Sequence, residues 1–324
     1  LPELFPGVIP IVGRHLAFIV FWWILGRFSF WFMDYFGIFF TGFINISLTA
    51  YISYLAAIPA FRDRNKRHTS LAYSMVSIVI IQAIFFLSES KILNIDSYKI
   101  LLLSMILFLV LILLALRRVS MESINELLNQ ENINEIFLAK SFRYNLAIFC
   151  LLLYGFVELF FPNNSTLAYI CFACGSATFA LLNDFVLKDN NILFKPFVLY
   201  IISTISITAI GFFFLGFNYL FELNITNHFR HFLTTGSFGM VFYVIMIIVS
   251  TIHTGRKIFT NWALTLGLIL IIIATFMRAF IPFYIEYSMA LYILSSIIWA
   301  IPFIIYMKIF FPFLLQVRAD GIKG

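Results

Sequence analysis

The feature that most constrains this chain is a series of apolar runs, each long enough to cross a lipid bilayer as one helix. Polar or charged stretches separate the runs, and a helix of roughly 20 apolar residues spans the hydrocarbon core. The predicted spans are residues 10–31, 36–60, 69–88, 98–117, 143–161, 166–187, 196–221, 229–252, 262–281 and 288–312. We therefore predict an all-α fold, a polytopic integral membrane bundle with about ten transmembrane helices present.

The composition agrees with a membrane protein and excludes other classes. Of the 324 residues, 62% are hydrophobic and 11% are charged, which lies outside the range of soluble globular domains. The net charge of +6 does not indicate a nucleic-acid partner, because basic residues of such a chain collect in cytoplasmic loops. We expect the lipid bilayer as partner, and a redox partner is left open. No P-loop, catalytic triad or HExxH motif indicates an enzyme, and catalysis is also left open.

The lysines and arginines predict the orientation of the bundle. With an even number of spans both termini lie on one side, and five of the 21 basic residues fall on the other side: Arg27, Lys91, Lys99, Arg230 and Arg278. Cytoplasmic loops carry the excess of basic residues, so we expect both termini in the cytoplasm and the chain in the bacterial inner membrane. Because the chain begins with Leu1, we also expect an N-terminal part of the protein to precede it.

Residues 117–142 are too polar to form a span. Charged residues are mixed there with two apolar groups: Ile124, Leu127 and Leu128, then Ile133, Ile136 and Phe137. This spacing predicts two short amphipathic helical pieces at the cytoplasmic membrane surface. We predict a single transmembrane domain, residues 1–324, in which 117–142 is a cytoplasmic amphipathic linker between two sets of helices.

Three of the five histidines lie on one predicted helix, with His228 and His231 at one end and His253 at the other. From His231 to His253 the helix rises about 33 Å, close to the hydrocarbon thickness. Neutral imidazole is the commonest metal ligand, so His231 and His253 are candidate cofactor ligands, each with a partner from another helix. His228, one turn before His231, is a secondary metal candidate. The alternative is that these are interfacial histidines with ordinary hydrogen bonds.

Soft and charged side chains within the spans are further candidates. Met246 is a weak metal candidate, since a thioether can bind copper(I), although methionines in apolar runs are more often packing residues. Glu158 falls at a similar depth to Arg278 and Arg27, so we predict an ion pair with one of them. The alternative is a cofactor-free transporter or channel with a polar route near Glu158 and Arg278.

Motifs along most of the chain resemble those of the NnrS family. The strongest are HFLTTG, with His231, Leu233, Thr234 and Gly236, and HTGR, with His253, Thr254, Gly255 and Arg256. Others match too: Arg278 with Pro282, Trp299, the closing Arg318, Ala319, Asp320 and Gly321, and near the start Trp23, Gly26, Arg27 and the basic loop RDRNKRH.

The resemblance implies a membrane protein that contains haem and copper and is associated with the response to nitric oxide or with denitrification. It implies His231 and His253 as the first candidate ligands and His228 as the second. The family architecture has about twelve spans, of which about ten would be present here. Ile248 stands where the family commonly has an arginine.

Overall fold

The computed structural model describes residues 11–62, 69–162, 164–187, 190–259, 261–319 and 321. Most of the basic loop, residues 63–68, and Asp320 of the closing motif lie outside these ranges. Within them the chain is helical and contains no strand. The predicted all-α fold is confirmed.

Thirteen α-helices follow one another within the described ranges: α1 (Gly13–Trp31), α2 (Met33–Phe36), α3 (Ile38–Arg62), α4 (Thr69–Glu89), α5 (Ser97–Gln130), α6 (Ser141–Phe160), α7 (Thr166–Phe179), α8 (Asn190–Leu193), α9 (Pro196–Leu220), α10 (Thr226–Phe229), α11 (Gly239–His253), α12 (Trp262–Phe280) and α13 (Ser288–Leu315). Three irregular helical segments extend them. A 3₁₀ turn at Ala180–Phe185 follows α7, a π-helix at Phe232–Phe238 joins α10 to α11, and a 3₁₀ turn at Ile281–Tyr287 joins α12 to α13.

Eight of the described helical stretches are long and apolar enough to cross a membrane. The last of them, Trp262–Leu315, contains two helices, α12 and α13, so nine predicted spans correspond to these stretches. The remaining predicted span, 10–31, corresponds to α1, which is not among the eight. The chain is therefore a multi-pass membrane protein, and the helix ends agree with the predicted spans to within a few residues except after residue 117.

The Cα positions divide the chain into two compact units, Leu1–Leu114 and Ala115–Gly324. In the first unit α3 packs against α1 and α4. Asn45 of α3 is buried, accepts a hydrogen bond from Arg27 Nη2 at 2.6 Å and donates to the Gly26 carbonyl at 3.3 Å. A Cβ on Gly26 would lie 3.0 Å from the Asn45 amide oxygen. Gly26 and Arg27 of α1 therefore make polar contacts with Asn45 of α3.

In the second unit α7 packs against α6 and α9, and α12 packs against α13. The π-helix contacts α9, α11 and α12. A cluster of phenylalanines fills this junction, where the Phe214 ring stacks on Phe232 at 5.0 Å and meets Phe229 at 5.2 Å and Phe280 at 5.4 Å. Aromatic pairs at such distances add to the stabilisation from burial alone. The cluster fixes the segment that carries His228 and His231 against α9 and α12.

Residues 117–142 differ from the predicted pair of short helices. Residues 117–130 continue α5, and residues 133–140 form no regular helix. Phe137 and Ala139 are buried while Ile136 and Leu138 are exposed, the alternation of an extended segment. Asn125 holds this segment through both of its amide atoms, which bond the Phe137 carbonyl at 3.1 Å and amide at 2.7 Å. The predicted second helix is wrong, because the apolar spacing there has a period of two. The cytoplasmic placement of the linker and the single domain stay predictions.

Candidate functional site

The segment HFRHF buries two phenylalanines and brings two histidines close together on one helical turn. Phe229 and Phe232 are 2% and 0% exposed in the aromatic cluster. Residues three apart on a helix share a face, so His228 and His231 lie together, with ring centroids 6.3 Å apart. The sequence therefore builds a pair of imidazoles whose backbone is held by aromatic packing.

This histidine pair lines an open cavity of about 680 Å³ between α10, α12 and α13. An adjoining cavity of about 370 Å³ continues from it along the π-helix towards Trp299. His231, Arg278 and Ser296 line both. Cofactor and ligand sites have volumes of about 300–1,000 Å³, so the size suits a small molecule or a flat cofactor. We call the two together the His231 cavity.

The π-helix shapes the inner end of the His231 cavity. Thr235 Oγ1 lies 3.4 Å from His231 Nδ1, and the Trp299 indole donates a hydrogen bond to the Thr235 carbonyl at 3.1 Å. A Cβ on Gly239 would come within 2.7 Å of Trp299 Nε1, so glycine is needed for this approach. Single π turns inside α-helices occur frequently at functional sites. The wide turn brings His231 and the indole to one wall.

Arg278 lies in the last turn of α12, and its guanidinium carbon is 4.5 Å from the centroid of the Tyr292 ring. This cation–π contact holds the side chain against α13 at the cavity wall. His228 Nδ1 is buried and has no hydrogen-bond partner among the described residues. Sequence analysis did not select Tyr292, Ser295 or Ser296, since such residues in an apolar helix look like ordinary packing residues.

The partner of Glu158 differs from the prediction. Arg230 Nη2 donates to Glu158 Oε1 at 2.5 Å, and the Tyr154 and Tyr219 hydroxyls donate to the same oxygen at 2.5 and 3.1 Å. Both charged residues are buried, with Glu158 4% and Arg230 9% exposed. The predicted pairing with Arg278 or Arg27 is therefore wrong.

Arg278 and Arg27 were predicted as partners only because they fall at a similar depth in the membrane to Glu158. Arg230 stands between the two histidines in a polar stretch at the mouth of a span, where the sequence indicates a solvated residue. The structure turns it inward instead, towards Glu158, and it does not line the His231 cavity. Its Nη1 also donates to Asn227 Oδ1 at 2.5 Å, and Asn227 lines the cavity.

The HTGR motif ends helix α11 as a Schellman cap. Gly255 has φ +67°, a conformation that favours glycine. The Gly255 amide donates to the Ile252 carbonyl at 2.9 Å, and the Arg256 amide to the Thr251 carbonyl at 3.1 Å. These are the two hydrogen bonds of that motif. Thr, Gly and Arg of HTGR thus have a clear structural role.

Arg256 connects this cap to the end of the chain. Its Nη2 donates to Gln316 Oε1 at 3.0 Å, and its guanidinium lies 4.1 Å from the Phe313 ring centroid. The amide of Ala319, in the closing RADG motif, donates to the Thr254 carbonyl at 3.0 Å. The two C-terminal motifs are therefore in contact.

The other predicted site residues are not brought to the His231 cavity. His253 is exposed at the last residue of α11, and Met246 lies half-buried in the same helix. Neither lines the cavity. In the part of the chain that the structure describes, no group of three or more His, Cys, Asp or Glu could hold a metal ion. The copper prediction therefore gains no support from the described residues and stays a prediction.

The His231 cavity does fit a haem. A haem iron takes an imidazole as proximal ligand, and a metal-binding histidine has its other ring nitrogen bonded to a neighbouring oxygen. Thr235 Oγ1, 3.4 Å from His231 Nδ1, is the oxygen placed for this role, and Nε2 would then be the nitrogen for the iron. Tyr292 and Trp299 add aromatic rings to the lining, and the Arg278 guanidinium adds a positive charge.

Comparison with known proteins agrees with the motifs on which this site is built. The sequence model of the family described as NnrS protein matches residues 2–318, nearly the whole chain. No curated protein and no solved structure matches. A match of this length includes the residues that line the His231 cavity and the HFLTTG and HTGR motifs. The chain therefore belongs to the NnrS protein family.

Proposed function

We propose that this chain is a haem-binding membrane protein of the NnrS type that acts in the response to nitric oxide or in denitrification-linked metabolism. Family membership supports the biological setting. The observation that supports the cofactor is the position of His231, which lines the cavity and contacts Thr235 through Nδ1. When bound, a haem held by one imidazole would supply an iron that can bind a diatomic gas such as nitric oxide.

Each lining residue has a distinct task in this proposal. His231 binds the iron, and Thr235 fixes its ring orientation and tautomer. Trp299 and Tyr292 would offer apolar contacts to the bound haem and exclude water from it. Arg278 carries the positive charge that suits the carboxylate groups of a haem. His228 is the second imidazole at the same wall, 6.3 Å from the first.

His253 stays the second predicted ligand, and copper stays a prediction that rests on the resemblance. A haem at His253 would lie at the other end of α11 and would need a partner from outside the His231 cavity. The alternative of a cofactor-free transporter has less support, because three donors occupy one oxygen of Glu158 and the residue lines neither cavity.

The excess of lysine and arginine further supports an inner-membrane protein with both termini in the cytoplasm. The His231 cavity then opens towards the periplasm. Alkaline phosphatase fused in the loop between α9 and α10 should be active, and the same enzyme fused after α13 should be inactive. The reverse pattern would contradict the orientation.

The cofactor proposal is tested by the absorption spectrum of the protein purified from cells supplied with haem. Wild type should show a Soret band, His231→Ala should lose it, and His253→Ala serves as a matched control on the same helix. A band that survives in His231→Ala but disappears in His253→Ala would move the haem to the other end of α11. Absence of the band in wild type would remove the haem altogether.

A further inference from the structure

The His231 cavity contains a positive charge that forms no ion pair with an acidic residue in the described part of the chain. The Arg278 guanidinium contacts the Tyr292 ring, and no described residue accepts a hydrogen bond from it or forms an ion pair with it. None of the residues that line the cavity is an aspartate or a glutamate. Arg230, the neighbour of His231 in the sequence, forms an ion pair with Glu158.

An arginine in this position is costly without an anionic partner. A charged side chain within a transmembrane segment faces a partner, a cavity or water, and a guanidinium has five N–H donors in a planar fork. The end of α12 offers Arg278 a favourable helix dipole, but that effect is small. The cation–π contact covers one face of the guanidinium and leaves its donor edge without an acceptor among the described residues.

Further polar groups surround the same space. Asn227, Ser296 and Thr234 line the cavity beside Arg278. His228 adds an imidazole whose Nδ1 is buried and unpaired within the described residues. Hydroxyl, amide and imidazole groups can all donate to an anion. The cavity thus presents one fixed cation, several donors and no carboxylate.

We propose that the His231 cavity is an anion site, in which the Arg278 guanidinium binds a planar carboxylate or oxyanion in the bidentate manner. Guanidinium and carboxylate match in geometry, and such charge-assisted pairs are about twice as strong as neutral hydrogen bonds. The anion is either the carboxylate of a bound haem or a free small oxyanion. The first source rests on the proposed haem function, and the second does not.

The experiment uses full-length protein in a maltoside detergent, which carries no phosphate. Haem and its dimethyl ester, in which both carboxylates are masked, are titrated into haem-free protein and followed by absorption. If the haem supplies the anion, wild type binds haem about tenfold or more tightly than the ester. Arg278→Gln removes this preference, and Arg278→Lys retains part of it. Arg14→Gln, an exposed arginine that lines neither cavity, leaves the preference unchanged.

A second arm tests the free anion. Formate, the smallest planar carboxylate, is added to haem-free protein at constant ionic strength, and the unfolding midpoint is measured. If the anion is free, formate raises the midpoint of wild type and of Arg14→Gln but not of Arg278→Gln, while haem and its ester bind equally. Ligand-free Arg278→Gln should unfold no earlier than wild type, because an uncompensated charge has been removed.

The inference is overturned if wild type neither prefers haem over the ester nor responds to formate. It is also overturned if wild type shows either effect, the preference for haem over its ester or the rise of the unfolding midpoint with formate, and Arg278→Gln shows the same effect to the same extent. Failure of both porphyrins to bind would contradict the proposed function alone, and the formate arm would then decide whether the anion site exists.

Discussion

At the scale of single residues, the energetics of buried charge account for the most polar part of the bundle. Glu158 and Arg230 are almost completely buried, and the carboxylate oxygen that accepts from Arg230 also accepts from two tyrosines. A buried ion pair adds little net stability over an apolar pair, but removal of one member leaves an uncompensated charge. The structure therefore predicts an asymmetric response to substitution.

We expect Glu158→Gln to lower the free energy of unfolding by about 3–5 kcal/mol, because Arg230 remains buried and charged. The double variant Glu158→Leu with Arg230→Met should recover part of the loss. The measurement is the thermal unfolding midpoint of the purified protein in detergent. Glu286→Gln is the matched control, since Glu286 is exposed and should give the wild-type midpoint. A Glu158→Gln midpoint equal to that of the control would contradict the pair.

The sequence predicted that Glu158 would be paired but not which residue would pair with it. The rule that intramembrane charges need partners follows from solvation and applies to any fold. The identity of the partner depends on which faces of α6, α9 and α10 meet. That is set by packing of aromatic and small residues, and no single sequence pattern shows it.

At the scale of helices, the HTGR and HFLTTG motifs have different physical roles. HTGR forms a Schellman cap on α11 and a contact with the closing segment. HFLTTG forms the π-helix that brings His231 and Thr235 to the cavity. From sequence both motifs looked like ligand sites because both contain histidine. The backbone role of Thr254, Gly255 and Arg256 became visible only with the hydrogen bonds of the helix end.

The cap predicts a specific order of stabilities at position 255. Gly255→Ala forces a Cβ into the left-handed region and should cost about 1–2 kcal/mol, whereas Gly255→Asn should cost less because asparagine tolerates that region. Unfolding midpoints of the two variants measure the difference. The Soret band, if present, should keep its position in both. Equal midpoints for the alanine and asparagine variants would speak against a left-handed cap.

The π-helix predicts that Gly239 is needed for the site and not for stability alone. A Cβ there would lie 2.7 Å from Trp299 Nε1, so Gly239→Ala should displace the indole from the cavity wall and weaken haem binding at least severalfold. Gly216→Ala is the matched control, since its Cβ would meet Phe172 at the same 2.7 Å in a contact that lines neither cavity.

Haem titrations followed by absorption compare the two glycine variants. Both should lower the unfolding midpoint by similar amounts, because both overpack a helix contact by one methyl group. Only Gly239→Ala should raise the dissociation constant for haem. If both variants bind haem like wild type, Trp299 has no part in the site.

At the scale of the whole molecule, the bilayer explains why so much of the fold could be predicted. A fixed hydrocarbon thickness and the need to satisfy backbone hydrogen bonds leave the transmembrane helix as the choice for each apolar run. Ten runs therefore predicted ten helices. The exception was residues 133–140, which form an extended segment, because outside the apolar runs the bilayer no longer dictates a helix.

The candidate site could be predicted only in part, because the bilayer determines each helix but not the packing between helices. His231 was selected because imidazole at the mouth of a span is a rare and chemically versatile group. The cavity around it requires α10, α12 and α13 to meet, with Arg278, Tyr292 and Trp299 at the contact. Hydropathy gives each helix its length but does not say which helices are neighbours.

We propose that His231 holds a haem in the cavity between these helices. This is tested most directly by replacing His231 with glycine and adding free imidazole to the haem-supplied protein. We predict that His231→Gly has no Soret band and that added imidazole restores the band in a concentration-dependent, saturable way. His253→Gly should keep its band without imidazole. A His231→Gly variant whose Soret band equals that of wild type before imidazole is added would contradict the account.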